Sequence, residues 1–183
     1  VTGTDLNNCS NKDTVQVLVN DLPIIVTSND ASICFGDSIT ISASGGISYQ
    51  WLNQDSINNI NIASPEIWPS LNSSYKVVVT GNNNCIDTAE INIQVNSLPN
   101  VNAGINQDIC VGDTAQLTVT GAVNYQWSPT FNISSTISSS INAWPEDSTS
   151  YIVTGIDANS CINKDTIDIN IWNLPLANAG DDL

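Results

Sequence analysis

The chain repeats its own pattern at an interval of 76 residues. Cys9, Cys85 and Cys161 stand 76 positions apart at each step (85 − 9 and 161 − 85). A fixed period of this length is the sequence signature of an array of small structural units. The same offset relates several other motifs: Cys34 to Cys110, Tyr49-Gln50-Trp51 to Tyr125-Gln126-Trp127, Trp68-Pro69 to Trp144-Pro145, and Tyr75 to Tyr151. The repeat therefore decides the domain organisation.

The phase of the repeat divides the chain into four parts. The pair Leu22-Pro23 recurs as Leu98-Pro99 and as Leu174-Pro175, and we take it as the end of a unit. Proline stiffens each of these short linkers, so we expect an extended rod in which each unit contacts mainly its neighbours. The predicted parts are the C-terminal part of a preceding repeat (1–23), two full repeats (24–99 and 100–175), and the start of a following repeat (176–183).

Apolar and polar residues alternate with a period of two, which indicates half-buried β-strands. Short strands separated by turn-rich stretches, in a unit of 76 residues, predict a small antiparallel β-sandwich of about seven strands. Trp51 and Trp127 are expected at the centre of its core. The apolar positions of the alternating runs are Ala115, Leu117 and Val119, then Ile167, Ile169 and Ile171, and in the equivalent last strands Ile91, Ile93, Val95 and Val15, Val17, Val19.

Each full repeat contains two cysteines 51 residues apart (85 − 34 and 161 − 110). We expect the disulfides Cys34–Cys85 and Cys110–Cys161, with the partner of Cys9 outside this chain. Closing a loop of this length contributes roughly 4 kcal/mol to stability, and disulfides imply an oxidising compartment. The alternative is reduced, buried thiols in a cytosolic protein. A metal site is disfavoured, because neither His nor a CxxC pair accompanies the cysteines.

The composition excludes several functions. Eighteen acidic residues against three basic ones give a net charge of −15. Such a chain lacks the clustered basic side chains that bind nucleic acid. No apolar run approaches the roughly 20 residues of a membrane span, so we expect no membrane insertion in this segment. Because the sequence has no His and no Arg, it has no Ser-His-Asp or Cys-His arrangement, and we predict that it is not an enzyme.

The order of motifs in each full repeat carries a family resemblance. Ile-Cys-x-Gly-Asp-(Ser/Thr) is followed by Tyr-Gln-Trp, Trp-Pro, Tyr…Val-Thr-Gly and Leu-Pro. Over the whole chain, this order resembles the Ig-like and PKD-like tandem repeats of Bacteroidota cell-surface proteins, such as giant gliding-motility adhesins and other type IX secretion substrates. The resemblance implies an all-β fold of tandem Ig-like sandwiches, an outer-surface location, and a role in adhesion or gliding.

Two other functions stay open at this point. The chain is alternatively a subunit of an extracellular filament or sheath, with other copies as its partners. A further alternative is a spacer or carbohydrate-binding module of a secreted hydrolase, with a surface polysaccharide as its partner. In the adhesin interpretation the partners are neighbouring repeats of the same chain.

The resemblance also implies O-glycosylation at Asp-(Ser/Thr) motifs followed by a small apolar residue or Thr. The same dipeptides suit turns that lead into strands, which is the alternative. The candidate hydroxyls are those of Thr14, Ser38, Ser56, Thr88, Thr114, Ser148 and Thr166.

Calcium is the one cofactor that the sequence leaves open, since oxygen-rich junctions between sandwich domains can supply its six to eight ligands. No EF-hand spacing or repeated DxD accompanies the acids, so solvated turn residues are the favoured interpretation, and we assign no metal ligand and no catalytic residue. The acids near predicted junctions and domain ends are Asp30, Asp37, Asp108, Asp113, Asp181 and Asp182.

One tryptophan breaks the repeat. Trp172 stands where the other repeats have Asn20 and Asn96. We expect its side chain to contact the next domain or another partner, with inter-domain packing favoured. Trp68 and Trp144 recur with the repeat, and we assign them to packing.

Overall fold

The computed structural model describes residues 1–52, 55–178 and 180. Its described elements are all strands, which confirms the all-β prediction. No helix in this part of the chain is long and apolar enough to span a membrane. The strands are β1 (Thr2–Thr4), β2 (Ser10–Lys12), β3 (Val26–Thr27), β4 (Ala31–Cys34), β5 (Ile39–Thr40), β6 (Ala43–Ser44), β7 (Ser48–Trp51), β8 (Glu66–Ile67), β9 (Ser73–Thr80), β10 (Ile86–Asn96), β11 (Gln107–Cys110), β12 (Ala115–Thr118), β13 (Asn124–Ser128), β14 (Ser140–Ala143), β15 (Thr149–Ile156) and β16 (Ile162–Trp172).

The chain packs into two compact units that are not continuous in sequence. The first comprises Val1–Asp30, Ser38–Trp68 and Ser74–Ile93. The second comprises Ala31–Asp37, Pro69–Ser73 and Gln94–Leu183. These units follow spatial packing, and the boundaries drawn from the repeat after residues 23, 99 and 175 stay predictions.

The second unit contains a two-layer β-sandwich. One layer has the strand order β11-β16-β15-β13 and the other pairs β12 with β14. In chain order, β13, β15 and β16 correspond to strands C, F and G of an Ig domain, and β12 and β14 to strands B and E. The strand order is therefore Ig-like. Its core residues include Leu117, Val119, Trp127, Ile141, Tyr151, Val153, Ile167 and Ile169.

One strand pair departs from the antiparallel prediction. Strand β11 runs parallel to β16, with Gln107 opposite Ile169 and Cys110 opposite Trp172. Parallel neighbours need a long connection. Here the rest of the sandwich lies between the two strands, so the first strand of the repeat can run alongside the last at the edge of the sheet.

The two central tryptophans lie in the core, as the sequence predicts. Trp127 is fully buried on β13, and its Nε1 donates a hydrogen bond to the carbonyl oxygen of Ser138 at 2.9 Å. Trp51 on β7 is equally buried and donates to the carbonyl of Ile62 at 2.9 Å. A buried indole needs such a partner for its N–H. Each tryptophan thus fills the core and bonds to a carbonyl 11 residues further along the chain.

The first unit contains the small sheets β1-β2, β3-β6 and β5-β8, and its apolar side chains include buried Ile41, Ile67, Tyr75, Val77 and Ile91. A further sheet of the chain has the order β4-β10-β9-β7, which repeats β11-β16-β15-β13. The two full repeats therefore build the same four-stranded layer.

The strand predicted at Val15, Val17 and Val19 is wrong. Residues 13–25 are all described and contain no strand, and these three valines are 79–86% exposed. The equivalent strands β10 and β16 each lie between two neighbours in a sheet. An alternating pattern gives a stable strand only where partners supply backbone hydrogen bonds and cover the apolar face.

Candidate functional site

The disulfide bond of this structure joins Cys34 to Cys161, which are 127 residues apart in sequence, with a Cα–Cα distance of 5.5 Å. That distance is ordinary for a disulfide. Both cysteines belong to the second compact unit, although the 76-residue period places them in different sequence repeats. Cys9, Cys85 and Cys110 are free thiols. The predicted pairs Cys34–Cys85 and Cys110–Cys161 are therefore wrong.

The geometry of β16 explains why a pair within one repeat does not form. Cys161 immediately precedes this 11-residue strand, whereas Cys110 lies opposite its last residue, Trp172. At about 3.3 Å per residue, the two ends of the strand are roughly 35 Å apart, while a disulfide needs Cα atoms within about 7 Å. Spacing along the sequence could not reveal this distance, because it depends on which strand β11 pairs with.

The two early cysteines, Cys34 and Cys110, occupy the same local structure. In each repeat the residue after the cysteine donates its N–H to the last strand: Phe35 to the carbonyl of Asn96 at 2.8 Å, and Val111 to that of Trp172 at 2.9 Å. A tight turn follows, in which Asp37 or Asp113 donates back to the cysteine carbonyl at 3.0 Å. The free Cys110 is therefore held as the bonded Cys34 is held.

The three late cysteines, Cys9, Cys85 and Cys161, also share one turn. In each case a residue four positions upstream donates its N–H to the cysteine carbonyl, at 3.0, 2.9 and 3.0 Å respectively. The residue before each cysteine has a positive φ: 64° at Asn8, 60° at Asn84 and 66° at Ser160. The turn is the same with and without a disulfide.

Trp172 lies beside the free Cys110. Its side chain is 63% exposed, and its Nε1 donates to Oδ1 of Asp108 at 3.3 Å. In the preceding repeat the equivalent contact runs from Nδ2 of Asn96 to Oγ of Ser32 at 2.8 Å. The repeat thus keeps a side-chain bridge between its first and last strands, and Trp172 adds a large exposed aromatic surface at this edge.

Trp68 and Trp144, which the sequence assigns to packing, are 46% and 43% exposed. Their backbone N–H groups donate to the carbonyls of Ser56 and Asn132, at 3.0 and 2.9 Å. The backbone of each is therefore fixed while much of each ring faces solvent. The sequence does not predict this exposure, because a repeat shows that a side chain recurs at one position but not whether it faces the core or the solvent.

A cavity of about 640 Å³ lies in the second compact unit. At the positions equivalent to Ser70 and Leu71 the next repeat has Glu146 and Asp147. The part of the wall that Ser70 and Leu71 form here therefore carries two acidic residues at the equivalent positions of the next repeat. Its lining residues are Phe35, Ser70, Leu71, Asn72, Val95, Ser97 and Leu98.

Two of the acids considered as calcium ligands accept hydrogen bonds from asparagines. Asp30 accepts from the backbone N–H and Nδ2 of Asn92, and Asp108 accepts from Nδ2 of Asn170 at 2.8 Å. Among the described residues, no group of three or more Cys, Asp or Glu side chains is placed to hold a metal ion. Asp181 and Asp182 lie outside the described residues.

The candidate glycosylation residues are distributed over the surface. Ser38 donates its hydroxyl to Oε1 of Glu66 at 2.6 Å, and the hydroxyl of Ser148 accepts from the N–H of Ile171 at 2.9 Å. Ser56 is partly buried, with a φ of 57°. The exposed members of the set are Thr14, Ser38, Thr88, Thr114, Ser148 and Thr166.

Burial affects the pKa of two core tyrosines. Desolvation by burial raises the pKa of Tyr75 on β9 and of Tyr151 on β15 above the usual value of 10.0. The hydroxyl of Tyr151 donates to the carbonyl of Phe131 at 3.4 Å. Phe131 lies 20 residues before Tyr151, so this hydrogen bond holds the loop after β13 against β15. In the tyrosine corner of Ig domains, by contrast, the hydroxyl bonds to backbone only a few residues upstream.

No protein-family model and no curated protein matches the chain. Solved Ig-domain structures are similar to it. Insect hemolin is 15% identical, with 89% of this chain and 49% of that chain covered and a TM-score of 0.44. The IG1+IG2 module of DIP-gamma is 12% identical, with 81% of this chain and 98% of that chain covered and a TM-score of 0.38. The Ig1-2 module of the Drosophila receptor protein tyrosine phosphatase DLAR is 14% identical, with 83% of this chain and 100% of that chain covered and a TM-score of 0.34. The Ig-like description of this chain rests on its own strand order.

Proposed function

We propose that the chain is a structural and adhesive repeat segment of a long bacterial cell-surface adhesin, a disulfide-stapled stalk for surface display, attachment or gliding. The observation that carries this proposal is the Cys34–Cys161 bond, which ties two successive sequence repeats together. A stalk has to transmit force along its chain, and a covalent bond between residues 127 apart in sequence limits how far the intervening chain extends when non-covalent packing yields. The order of repeat motifs supports a Bacteroidota origin and type IX secretion.

The cellular setting follows from the same chemistry. A disulfide persists in an oxidising environment, which supports an extracellular, outer-surface location. The net charge of −15 keeps neighbouring chains apart and soluble. We propose a non-catalytic role with Ig-like units at 24–99 and 100–175, and with Trp172 as an interface residue towards the following unit.

Electron microscopy of native cells, with an antibody raised against residues 24–175, tests the proposal. Thin single-chain threads that carry the label at the cell surface support the adhesin stalk. Regular thick fibres with lateral contacts support the filament or sheath instead. Label confined to the cytoplasm rejects both.

A carbohydrate-binding module is the second candidate, since three tryptophans, Trp68, Trp144 and Trp172, are at least 43% exposed. Exposed aromatic rings give large, rigid contact surfaces. Calorimetric titration with surface polysaccharide from the same cells distinguishes this function: binding that is lost in Trp144→Ala but kept in Leu71→Ala supports it, whereas absence of heat supports the stalk.

We propose O-glycosylation of the exposed hydroxyls in the Asp-(Ser/Thr) motifs. We also propose that the acids near the predicted junctions and domain ends are solvated turn residues rather than calcium ligands. Peptide mapping of native material that finds every one of these hydroxyls unmodified rejects the first proposal. A rise of several degrees in Tm on addition of Ca²⁺ rejects the second.

A further inference from the structure

We infer that Cys110 is the attachment point for the late cysteine of a repeat that follows on the same chain. Each internal repeat then uses its two cysteines in two different bonds, the late one backwards and the early one forwards. The inference rests on the bond observed between Cys34 and Cys161 and does not depend on a role at the cell surface.

The first step is the equivalence of the early sites. Cys34 and Cys110 are 76 residues apart, and each ends the first strand of its sheet. The hydrogen bond of the next residue to the last strand and the turn that follows are reproduced to within 0.1 Å. Gly36 and Gly112 take φ values of 92° and 91° in that turn. One of these two sites carries a disulfide, and the other has the same geometry with a free thiol.

The second step excludes a partner within the same repeat. Cys110 and Cys161 lie at opposite ends of β16, roughly 35 Å apart at about 3.3 Å per residue, so they cannot bond without unfolding the sheet. Cys161 is moreover already occupied by Cys34. Any partner of Cys110 is therefore a cysteine outside its own repeat.

The third step identifies that partner by its turn. The three late cysteines of this chain share one turn, whether bonded or free. Cys85, for example, has its Sγ 3.9 Å from the carbonyl oxygen of Asn20, the residue equivalent to Asn96 beside the bonded pair. A following repeat of the same type presents its late cysteine in this ready-made turn, 127 residues after Cys110.

The oxidation is balanced by a disulfide oxidant. Two thiols, that of Cys110 and that of the following late cysteine, lose two protons and two electrons to oxidised glutathione or a protein disulfide, which is reduced to two thiols. The thiolate of one cysteine attacks the oxidant and forms a mixed disulfide with it. The thiolate of the other cysteine then attacks the protein sulfur of that mixed disulfide, and the remaining thiolate of the oxidant leaves.

The test uses residues 1–175 followed by a second copy of residues 100–175, so that Pro175-Asn100 reproduces the native Pro99-Asn100 junction. In the second copy, Cys110→Ser removes the competing early thiol, and Ile162→Val labels the late-cysteine peptide by mass. After folding with oxidised and reduced glutathione, a protease that cleaves before aspartate places the cysteines in separate peptides: 5–12, 30–36, 55–86, 108–112 and 157–164.

We expect peptide 108–112 to be linked to the labelled peptide 157–164, to the same extent as peptide 30–36 is linked to the unlabelled one. The matched control, in which Cys110→Ser is also made in the original repeat, should leave the labelled peptide as a free thiol. A free Cys110, a bond to the unlabelled peptide, or failure of the Cys34–Cys161 bond in the same molecules overturns the inference.

Discussion

The carboxylate of Asp30 accepts two hydrogen bonds from Asn92, one from the backbone N–H at 2.7 Å and one from Nδ2 at 3.3 Å. The next repeat makes the same contact with the residue types exchanged. There, Asn106 accepts from the backbone N–H of Asp168 at 3.0 Å and donates its Nδ2 to the Asp168 carboxylate at 3.1 Å. Both repeats thus keep one carboxylate and one amide at this position.

This exchange predicts a double-mutant rescue. Asn92→Asp places two carboxylates together, and we expect it to lower the free energy of unfolding by about 1 kcal/mol, the upper range for charge interactions at exposed sites. Asp30→Asn combined with Asn92→Asp recreates the arrangement of the second repeat and should restore most of that loss. Urea unfolding of the two single variants and the double variant measures the coupling. Additive effects would show that the two side chains act independently.

The turn at Gly121 tolerates no side chain. Its φ is 94°, and a Cβ there would lie 1.8 Å from the carbonyl oxygen of Asn100. Gly112 has a φ of 91° with nothing within 4 Å of the added atom. We expect Gly112→Ala to cost about 1 kcal/mol from backbone strain alone. Gly121→Ala should cost at least about 2 kcal/mol more, because the backbone must also move.

Chemical unfolding of the two glycine variants in parallel checks this prediction, since they share the conformational penalty and differ only in the space available. Equal losses of stability would mean that the chain near Asn100 shifts without cost. The equivalent Gly45, whose added Cβ would lie 1.9 Å from the carbonyl oxygen of Ile24, should behave like Gly121.

The buried indole of Trp127 predicts a large loss on truncation. Trp127→Phe removes core volume and leaves the carbonyl of Ser138 without its 2.9 Å donor. We expect about 2–4 kcal/mol of destabilisation from the cavity and the lost hydrogen bond together. Trp172→Phe is the matched control, because that ring is 63% exposed, and it should change stability by less than about 0.5 kcal/mol. A similar loss in both variants would contradict the assigned burial.

Much of this fold can be predicted from the sequence, because period-two alternation and a fixed repeat are local signals. Trp51 and Trp127 lie in the core, as that pattern predicts. The pairing of the cysteines could not be predicted from the sequence, since it depends on β11 lying parallel to β16. The sequence does not predict the exposure of Val15, Val17 and Val19 for a related reason: the alternating pattern indicates a strand, but whether that strand has partners is a tertiary property.

The two buried tyrosines predict how stability depends on pH. Burial raises the pKa of Tyr75 and Tyr151 above the usual value, so the unfolded chain releases these protons at lower pH than the folded chain does. Their contribution is fully present below about pH 10 and is lost as the pH rises from there through the raised folded pKa. The free energy of unfolding should therefore fall with pH above 10. Tyr151→Phe should make that fall shallower relative to the variant's own stability at pH 8, and Tyr125→Phe serves as the comparison, because its partly exposed hydroxyl bonds to Ala122. An unchanged slope in Tyr151→Phe would contradict the prediction.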